Sequence, residues 1–311
     1  MEKTREIKKR IVSVAGTRKI TKAMEMIASS KIKKVQERML EARAFIEKVE
    51  DIITDIACYS TAIHEPLMVE HDQVDAALIV GITADRGLCG GYNTNIIRLI
   101  EKTMDSVKDE GIDIRLDMIG TKGKNHFKYR GVKMEKVFEN LSDHPKFLDA
   151  REISADIMAR YISLDVDRVI ICYTEFINNS EFMPRALQIL PIPVAEKLAT
   201  EEQKEHGIGK VEIGGKICRI IPEFIYDPSP DAILEGLLPQ YIYTLMYGAL
   251  LESTASETGA RMTAMRSASE SADDMLKDLN RKYHRARQQQ ITMEISEIVS
   301  GAEALSESLG S

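Results

Sequence analysis

Residues 32–56 read IKKVQERMLEARAFIEKVEDIITDI. Within this stretch Ile32, Val35, Met39, Ala42, Ile46, Val49, Ile53 and Ile56 recur at spacings of 3, 4, 3, 4, 3, 4 and 3. A helix brings residues three and four apart onto one side. The run therefore makes a continuous apolar stripe at heptad spacing, the pattern of a helix wound against another helix. Around it, residues 3–58 hold a single glycine, Gly16, and the first proline is Pro66. These features predict one helix of about 55 residues, roughly 80 Å long.

The other end of the chain mirrors the first. Pro239 is the last proline, and strong helix formers fill the 72 residues after it. Apolar positions fall at Met262/Met265, Ala272, Leu276/Leu279 and Tyr283/Ala286, again at heptad spacing. A second set, Ile291, Ile295, Ile298, Ala302 and Leu305, follows with shifted phase. The shift near 287–291 resembles a stutter, where coiled-coil winding changes locally. Each long helix needs a partner for its stripe, and the simplest partner is the other one. The expected arrangement is a long antiparallel coiled coil of the N- and C-terminal helices.

The middle differs in character. Val74-Asp75-Ala76-Ala77-Leu78-Ile79-Val80-Gly81-Ile82 reads as a buried strand. A helix at 92–109, strands at 114–119 and 133–138, a helix at 149–163 and a strand at 168–173 follow. Strand–helix alternation predicts a parallel-sheet α/β domain of Rossmann-like type, inserted between the terminal helices. The charged, Gly-rich residues 197–216 read as an exposed loop or hairpin. The expected domains are an N-terminal coiled-coil helix (1–60), an α/β domain (73–225) and a C-terminal coiled-coil helix (226–311).

Composition narrows the function. The chain has 311 residues, 44% apolar and 29% charged, with no Trp and 15 Met. Few aromatics and many methionines favour helix–helix packing over a β-sandwich. Met1-Glu2-Lys3-Thr4-Arg5 is charged and no apolar h-region follows, so a cytosolic chain is expected. No run approaches the ~18 apolar residues of a membrane span. Cys58, Cys89, Cys172 and Cys218 are scattered, with no C-x-x-C pair, which predicts buried free thiols rather than a metal site or disulfide framework. The net charge of −7 hides an asymmetry. Residues 1–38 hold 12 Lys/Arg against 4 Asp/Glu, and the rest hold 30 against 45. A basic arm on an acidic protein suits an acidic protein surface, nucleic acid or anionic lipid. No nucleic-acid motif or interleaved aromatic accompanies the arm, and its seam also demands burial, so a protein partner fits better.

Asp85-Arg86-Gly87-Leu88-Cys89-Gly90-Gly91 lies between a strand and a helix, where a phosphate-binding loop would sit. Its glycine spacing is not G-x-G-x-x-G, and Gly120-Thr121-Lys122-Gly123-Lys124 is too short for a Walker A loop. The simpler reading is a tight strand-to-helix turn, with Cys89 as a small buried residue in it. An α/β nucleotide-binding enzyme with helical extensions stays open as the alternative.

Three stretches carry a resemblance. The first is Thr17-Arg18-Lys19-Ile20-Thr21-Lys22-Ala23-Met24-Glu25-Met26-Ile27-Ala28-Ser29-Ser30-Lys31, and the second is Asp85 to Asn93. The third joins Glu252-Ser253-Thr254-Ala255-Ser256-Glu257, Ala260-Arg261-Met262, Arg285-Ala286-Arg287-Gln288 and Glu297-Ile298-Val299-Ser300-Gly301-Ala302. In this order the chain resembles the gamma subunits of F-type ATP synthases over essentially its whole length. The resemblance implies a non-catalytic rotor shaft that couples rotation of a membrane c-ring to conformational cycling of the catalytic beta subunits. Its partners would be the alpha and beta subunits, the epsilon subunit and the c-ring. No nucleic acid, cofactor, metal or catalytic residue of its own is expected. Location would be peripheral, on the cytoplasmic side of the cell membrane, through the complex. By resemblance Met24 lies where the shaft passes beta-subunit loops, and Arg287, Gln288 and Thr292 where the last helix meets beta-subunit loops higher up. Tyr226 to Asp231 look like part of the foot near the ring and epsilon. The chain departs from the common pattern at Ser271, His284 and Gln289. Cys218 has no close cysteine partner, so the thiol switch of the plant chloroplast form is not expected.

Overall fold

The computed structural model describes residues 4–59, 65–71, 73–178, 181–192, 210–213, 216–219 and 229–309. Helix α1 runs Thr4–Tyr59. After it come β1 (Ala76–Ile82), α2 (Tyr92–Asp109), β2 (Asp113–Ile119), α3 (Thr121–Tyr129), β3 (Lys136–Phe138) and α4 (Phe147–Ile162). Strands β4 (Arg168–Asn178), β5 (Glu181–Leu190), β6 (Lys210–Ile213) and β7 (Lys216–Arg219) lead to α5 (Pro230–Leu309). Packing divides the chain into two compact units, Met1–Ala28 with Met262–Ser311, and Ser29–Arg261.

Within Ser29–Arg261 the five-stranded sheet has the order β3-β2-β1-β4-β5. Strands β1 to β4 are parallel, as alternation with helices requires, but β5 is antiparallel to β4. The expected parallel sheet is thus a mixed one. The reason is local: two residues separate β4 from β5, too few for a crossover and enough for a hairpin. Central strand β1 is buried on both faces. Leu78, Val80 and Ile82 point to one side, among Ile153, Ile157 and Tyr161 of α4, Val49, Ile53 and Ile56 of α1, and Leu234, Leu238 and Ile242 of α5. Ala77 and Ile79 point to the other, against Ile96 and Ile100 of α2 and Phe127 of α3. Of the expected 197–216 loop or hairpin, residues 197–209, 214 and 215 lie outside the described residues. Strands β6 and β7 pair antiparallel.

The helix pair in this unit follows the heptad. Ile32, Val35, Met39 and Ala42 are buried with Leu251 and Ala255 of α5 and Phe176 of β4. Arg43 Nη2 meets Glu252 Oε1 at 2.8 Å, and Tyr241 Oη donates to Glu50 Oε1 at 2.6 Å. The partner number falls as the first rises, so the helices run antiparallel. Helix α5 starts nine residues before Pro239 and runs through it. Ser229 caps it by accepting the Ala232 N–H at 3.3 Å, and Pro230 takes the first helical position, where its missing N–H has no helical partner to lose.

In the other unit the same antiparallel rule holds. Thr4 meets Gln290, Arg18 meets Asp273, Thr21 meets Ser269 and Glu25 meets Arg266. Because α1 begins opposite Gln290, α5 runs on past it. Ile291, Ile295 and Ile298 of the second apolar set are 45–71% exposed, with no described helix over them.

Candidate functional site

In doubly wound sheets a ligand lies at the carboxyl ends of the strands where strand order reverses, here between β1 and β4. In this chain α5 lies there. Ala260 packs with Ala84, Cys89 and Tyr92 of the glycine turn. Ser256 Oγ donates to the Thr174 carbonyl at 3.1 Å, and Thr254 Oγ1 donates to the Ser142 carbonyl at 3.0 Å. Ser253, Thr254, Ala255, Ser256 and Ala260 are small and all buried, which lets the helix approach the sheet closely.

The anion-attracting start of α3 is also filled from within. Asp85 Oδ1 accepts the Thr121 N–H at 3.0 Å and the Thr121 hydroxyl at 2.9 Å. Its other oxygen accepts the Ser142 N–H at 3.1 Å. Burial alone would raise this carboxyl, but the donors from Ser142, Asn140 and Thr121 outweigh it and hold Asp85 below the ordinary carboxylate range. A phosphate would have to displace this carboxylate. Equilibrium dialysis of the purified chain with ATP or NAD is therefore expected to show no saturable binding at micromolar concentrations.

Cys89 sits in the turn, 2% exposed, its sulfur accepting Asn93 Nδ2–H at 3.1 Å. Burial pushes its thiol up, and burial pushes Cys172 up to about 12. Both are poor thiolates. Cys58 and Cys218 have side chains outside the described residues. Mild oxidation is expected to leave the activity of the assembled complex unchanged. A reversible thiol-dependent change that vanishes in Cys218→Ser would contradict this.

The turn is also held by charge. Arg261 Nη2 meets Glu257 Oε1 at 2.5 Å, and its Nε and Nη2 donate to the Gly87 carbonyl at 3.4 and 3.3 Å. Asp143 takes Lys31 Nζ at 2.8 Å and Arg86 Nε at 3.2 Å. Lys31 foremost holds the Asp143 carboxyl below its usual range, while burial pushes Glu257 up despite Arg261.

The expected contact residues lie elsewhere. Met24 is half-buried on α1, and Arg287, Gln288 and Thr292 are exposed on α5. Thr292 Oγ1 donates to the Gln288 carbonyl at 2.9 Å, so these two share one turn. Met24 is level with Arg266, about 30 Å down the helix from the other three. Gln288 and Thr292 thus stand on one turn, with Arg287 exposed beside Gln288 and Met24 far from all three.

The sequence reading passed over a second feature. In this unit the seam is partly polar, with Thr21, Glu25 and Ser269 buried, while Val12, Ile20, Met26 and Ile27 are 62–67% exposed. Met293 and Val299 are exposed as well. Buried polar residues in the seam thus stand beside large apolar side chains turned to solvent. The signal was in the sequence: Ile20, Met26 and Ile27 are apolar at positions off the stripe that Thr21, Glu25, Ala28 and Ile32 define. Arg18, Lys22 and Lys31 of the basic arm already pair with Asp273, Glu25 and Asp143.

Comparison with known proteins agrees with the fold. The family model described as ATP synthase matches residues 3–305. The ATP synthase gamma chain of Halothermothrix orenii is 40% identical over 307 residues, covering 98% of this chain and 100% of that one. The ATP synthase gamma chain of Heliobacterium modesticaldum is 38% identical, covering 97% and 98%. A chain of the Euglena gracilis mitochondrial ATP synthase (OSCP/F1/c-ring, rotational state 3) superposes with a TM-score of 0.64 at 17% identity, over 97% of this chain and 94% of that one. A chain of the Tetrahymena thermophila mitochondrial ATP synthase central stalk/c-ring gives a TM-score of 0.56 at 23% identity, over 80% and 99%. With its long paired helices, its mixed α/β domain and near-complete coverage by these relatives, the chain belongs to the ATP synthase gamma-chain family.

Proposed function

We infer that this chain is the central rotor shaft of an F-type ATP synthase and carries no catalytic residue of its own. The observation that carries this reading is the exposed apolar surface of the first unit, Val12, Ile20, Met26 and Ile27 on α1 and Ile291 to Val299 on α5. Such a surface requires a sleeve, and the ring of alpha and beta subunits supplies one. The chain's α/β domain, residues 73–225, would take torque from the c-ring with the epsilon subunit. The helices of 1–60 and 226–311 would deliver it to the beta subunits. Among the described residues no helix is long and apolar enough to cross a membrane. On the rotor reading membrane attachment is indirect, peripheral and on the cytoplasmic side of the cell membrane, and nucleic acid has no part in it.

Met24, Arg287, Gln288 and Thr292 are the contacts on this reading. At ~100° per residue Thr292 sits about 40° beyond Gln288, so the upper three make one polar patch. A charge-assisted hydrogen bond from Arg287 contributes about 1.5–3 kcal/mol, and neutral ones about half that. Bonds of that size favour one rotor angle without locking it. Replacing Arg287, Gln288 and Thr292 together by Ala is expected to leave co-purification with alpha and beta subunits intact and to slow ATP-driven proton pumping. Normal pumping would reduce the patch to solvated surface, and loss of co-purification would make it structural. A wild-type chain that does not co-purify with alpha and beta subunits would end the rotor reading.

A further inference from the structure

Helix α5 crosses the crevice of the α/β domain on small side chains, and small side chains grip weakly against turning about the helix axis. Ala255 and Ala260 fill space, while Thr254 and Ser256 each donate one neutral hydrogen bond, to the Ser142 and Thr174 carbonyls. The ionic pair adds the charged contact to these. Glu257 is 2% exposed, and one of its carboxylate oxygens is buried with no hydrogen-bond partner. The other oxygen holds Arg261, which in turn reaches across to the Gly87 carbonyl. A buried carboxylate satisfied on one side only is a poor way to gain stability, since apolar residues of similar volume would serve that purpose better. What such a pair supplies is orientation: a planar guanidinium held by a buried anion points its N–H groups in one direction. Asp143 holds the same turn from its other side, joining Arg86 to Lys31 of α1. Both helices are therefore tied to the turn, α1 through the Arg86 side chain and α5 through the Gly87 carbonyl.

We propose that Glu257 and Arg261 form a latch that fixes the rotational setting of α5 against the α/β domain, so that torque entering that domain passes to the helix pair without slip. The proposal rests on the rotor reading above and names the positioning residues that reading needs. It separates two properties that usually change together. Hydrolysis on the ring needs only the helices to turn inside it. Pumping needs the α/β domain to turn with them.

The test is a double variant, Glu257→Leu with Arg261→Met, in the complete membrane-bound complex. Removing both charges leaves no buried ion unpaired, so assembly and thermal stability are expected to hold. ATP hydrolysis should stay near wild type, while protons pumped per ATP hydrolysed should fall about tenfold, the low end of the scale of one lost charge-assisted hydrogen bond. A second variant, Glu257→Gln, keeps an acceptor for Arg261 and removes only the charge. It should assemble normally and lose about half that effect on a logarithmic scale. An unchanged pumping ratio in either assembled variant overturns the latch, as does a parallel fall of hydrolysis and pumping. A wild-type chain absent from the complex overturns the rotor reading and the latch with it, a result distinct from an assembled complex with normal coupling.

Discussion

Gly120→Ala is expected to destabilise the α/β domain strongly. Gly120 has φ +100, and a Cβ added there would lie 2.1 Å from the Thr83 carbonyl oxygen and 2.7 Å from its carbon. The obstacle is backbone, in the loop that carries β1 into the glycine turn, and it cannot swing aside. Thr83 is tied in place, since its hydroxyl donates to the Ile119 carbonyl at 3.0 Å and accepts the Gly123 N–H at 3.0 Å. The left-handed conformation costs about 1–2 kcal/mol with a Cβ and the overpacking about 1–3 more, so about 2–5 kcal/mol is at stake. Gly111→Ala is the control. That glycine has φ +80 with nothing within 4 Å of an added Cβ, so it bears only the first of these terms. Urea midpoints should fall much further for Gly120→Ala than for Gly111→Ala. A comparable fall in both would mean that Thr83 yields. Because Thr83 leads directly into Asp85, the damaged chain should also be lost from the complex.

How much of this was legible in the residues depends on whether the signal is local. The heptad at Ile32–Ile56 is local and strong, and seven of its eight members are buried as it requires. Helix 92–109 ends where the reading placed it, because Gly91 and Gly111 frame a clear amphipathic run. Helix α3 was overlooked. Thr121–Tyr129 contains Gly123 and Asn125, poor helix formers, and besides Gly123 it buries only Phe127. Its stability comes from Asp85 at its start, which is distant in sequence. Strand β5 was overlooked because an edge strand has one covered side. Its sequence carries Pro184 and charged residues, as edges that must not pair further do. At the candidate site the glycine turn was visible as a turn. Its use as the seat of α5 was not, because Arg261 lies 174 residues from Gly87. The patch at Arg287–Thr292 is expected from family resemblance alone, since an exposed polar helix face has no pattern of its own.

The second large effect is expected at Arg160, and there too the partners are remote in sequence. Arg160 of α4 binds Asp117 of β2 at 3.0 Å, Asp165 at 3.3 Å and Glu135. Asp117 is 1% exposed, and its other oxygen accepts the Lys136 N–H at 3.0 Å. Burial pushes the Asp117 carboxyl up, with Arg160 opposing it. A carboxyl raised on folding favours the folded state below its unfolded value of about 3.9, and that benefit is lost as pH rises through the folded value. At neutral pH Asp117 is therefore a burden that Arg160 offsets. In Arg160→Leu the carboxylate keeps its burial and loses its cation, which should cost about 3–5 kcal/mol at pH 7. Asp165 retains Arg115 at 2.5 Å, so the loss centres on Asp117. The sign of the pH effect follows. As pH falls, Asp117 takes up a proton more readily in the variant than in wild type, and the stability gap between them should narrow. Urea unfolding of both proteins at pH 7 and pH 5 measures the gap directly, and acid effects common to both cancel in the difference. A second substitution, Asp117→Asn, should recover most of the loss in Arg160→Leu, since a neutral amide needs no cation. A gap that stays constant with pH, or no recovery by Asp117→Asn, would mean that Arg160 acts through packing of its stem on α4 rather than through charge.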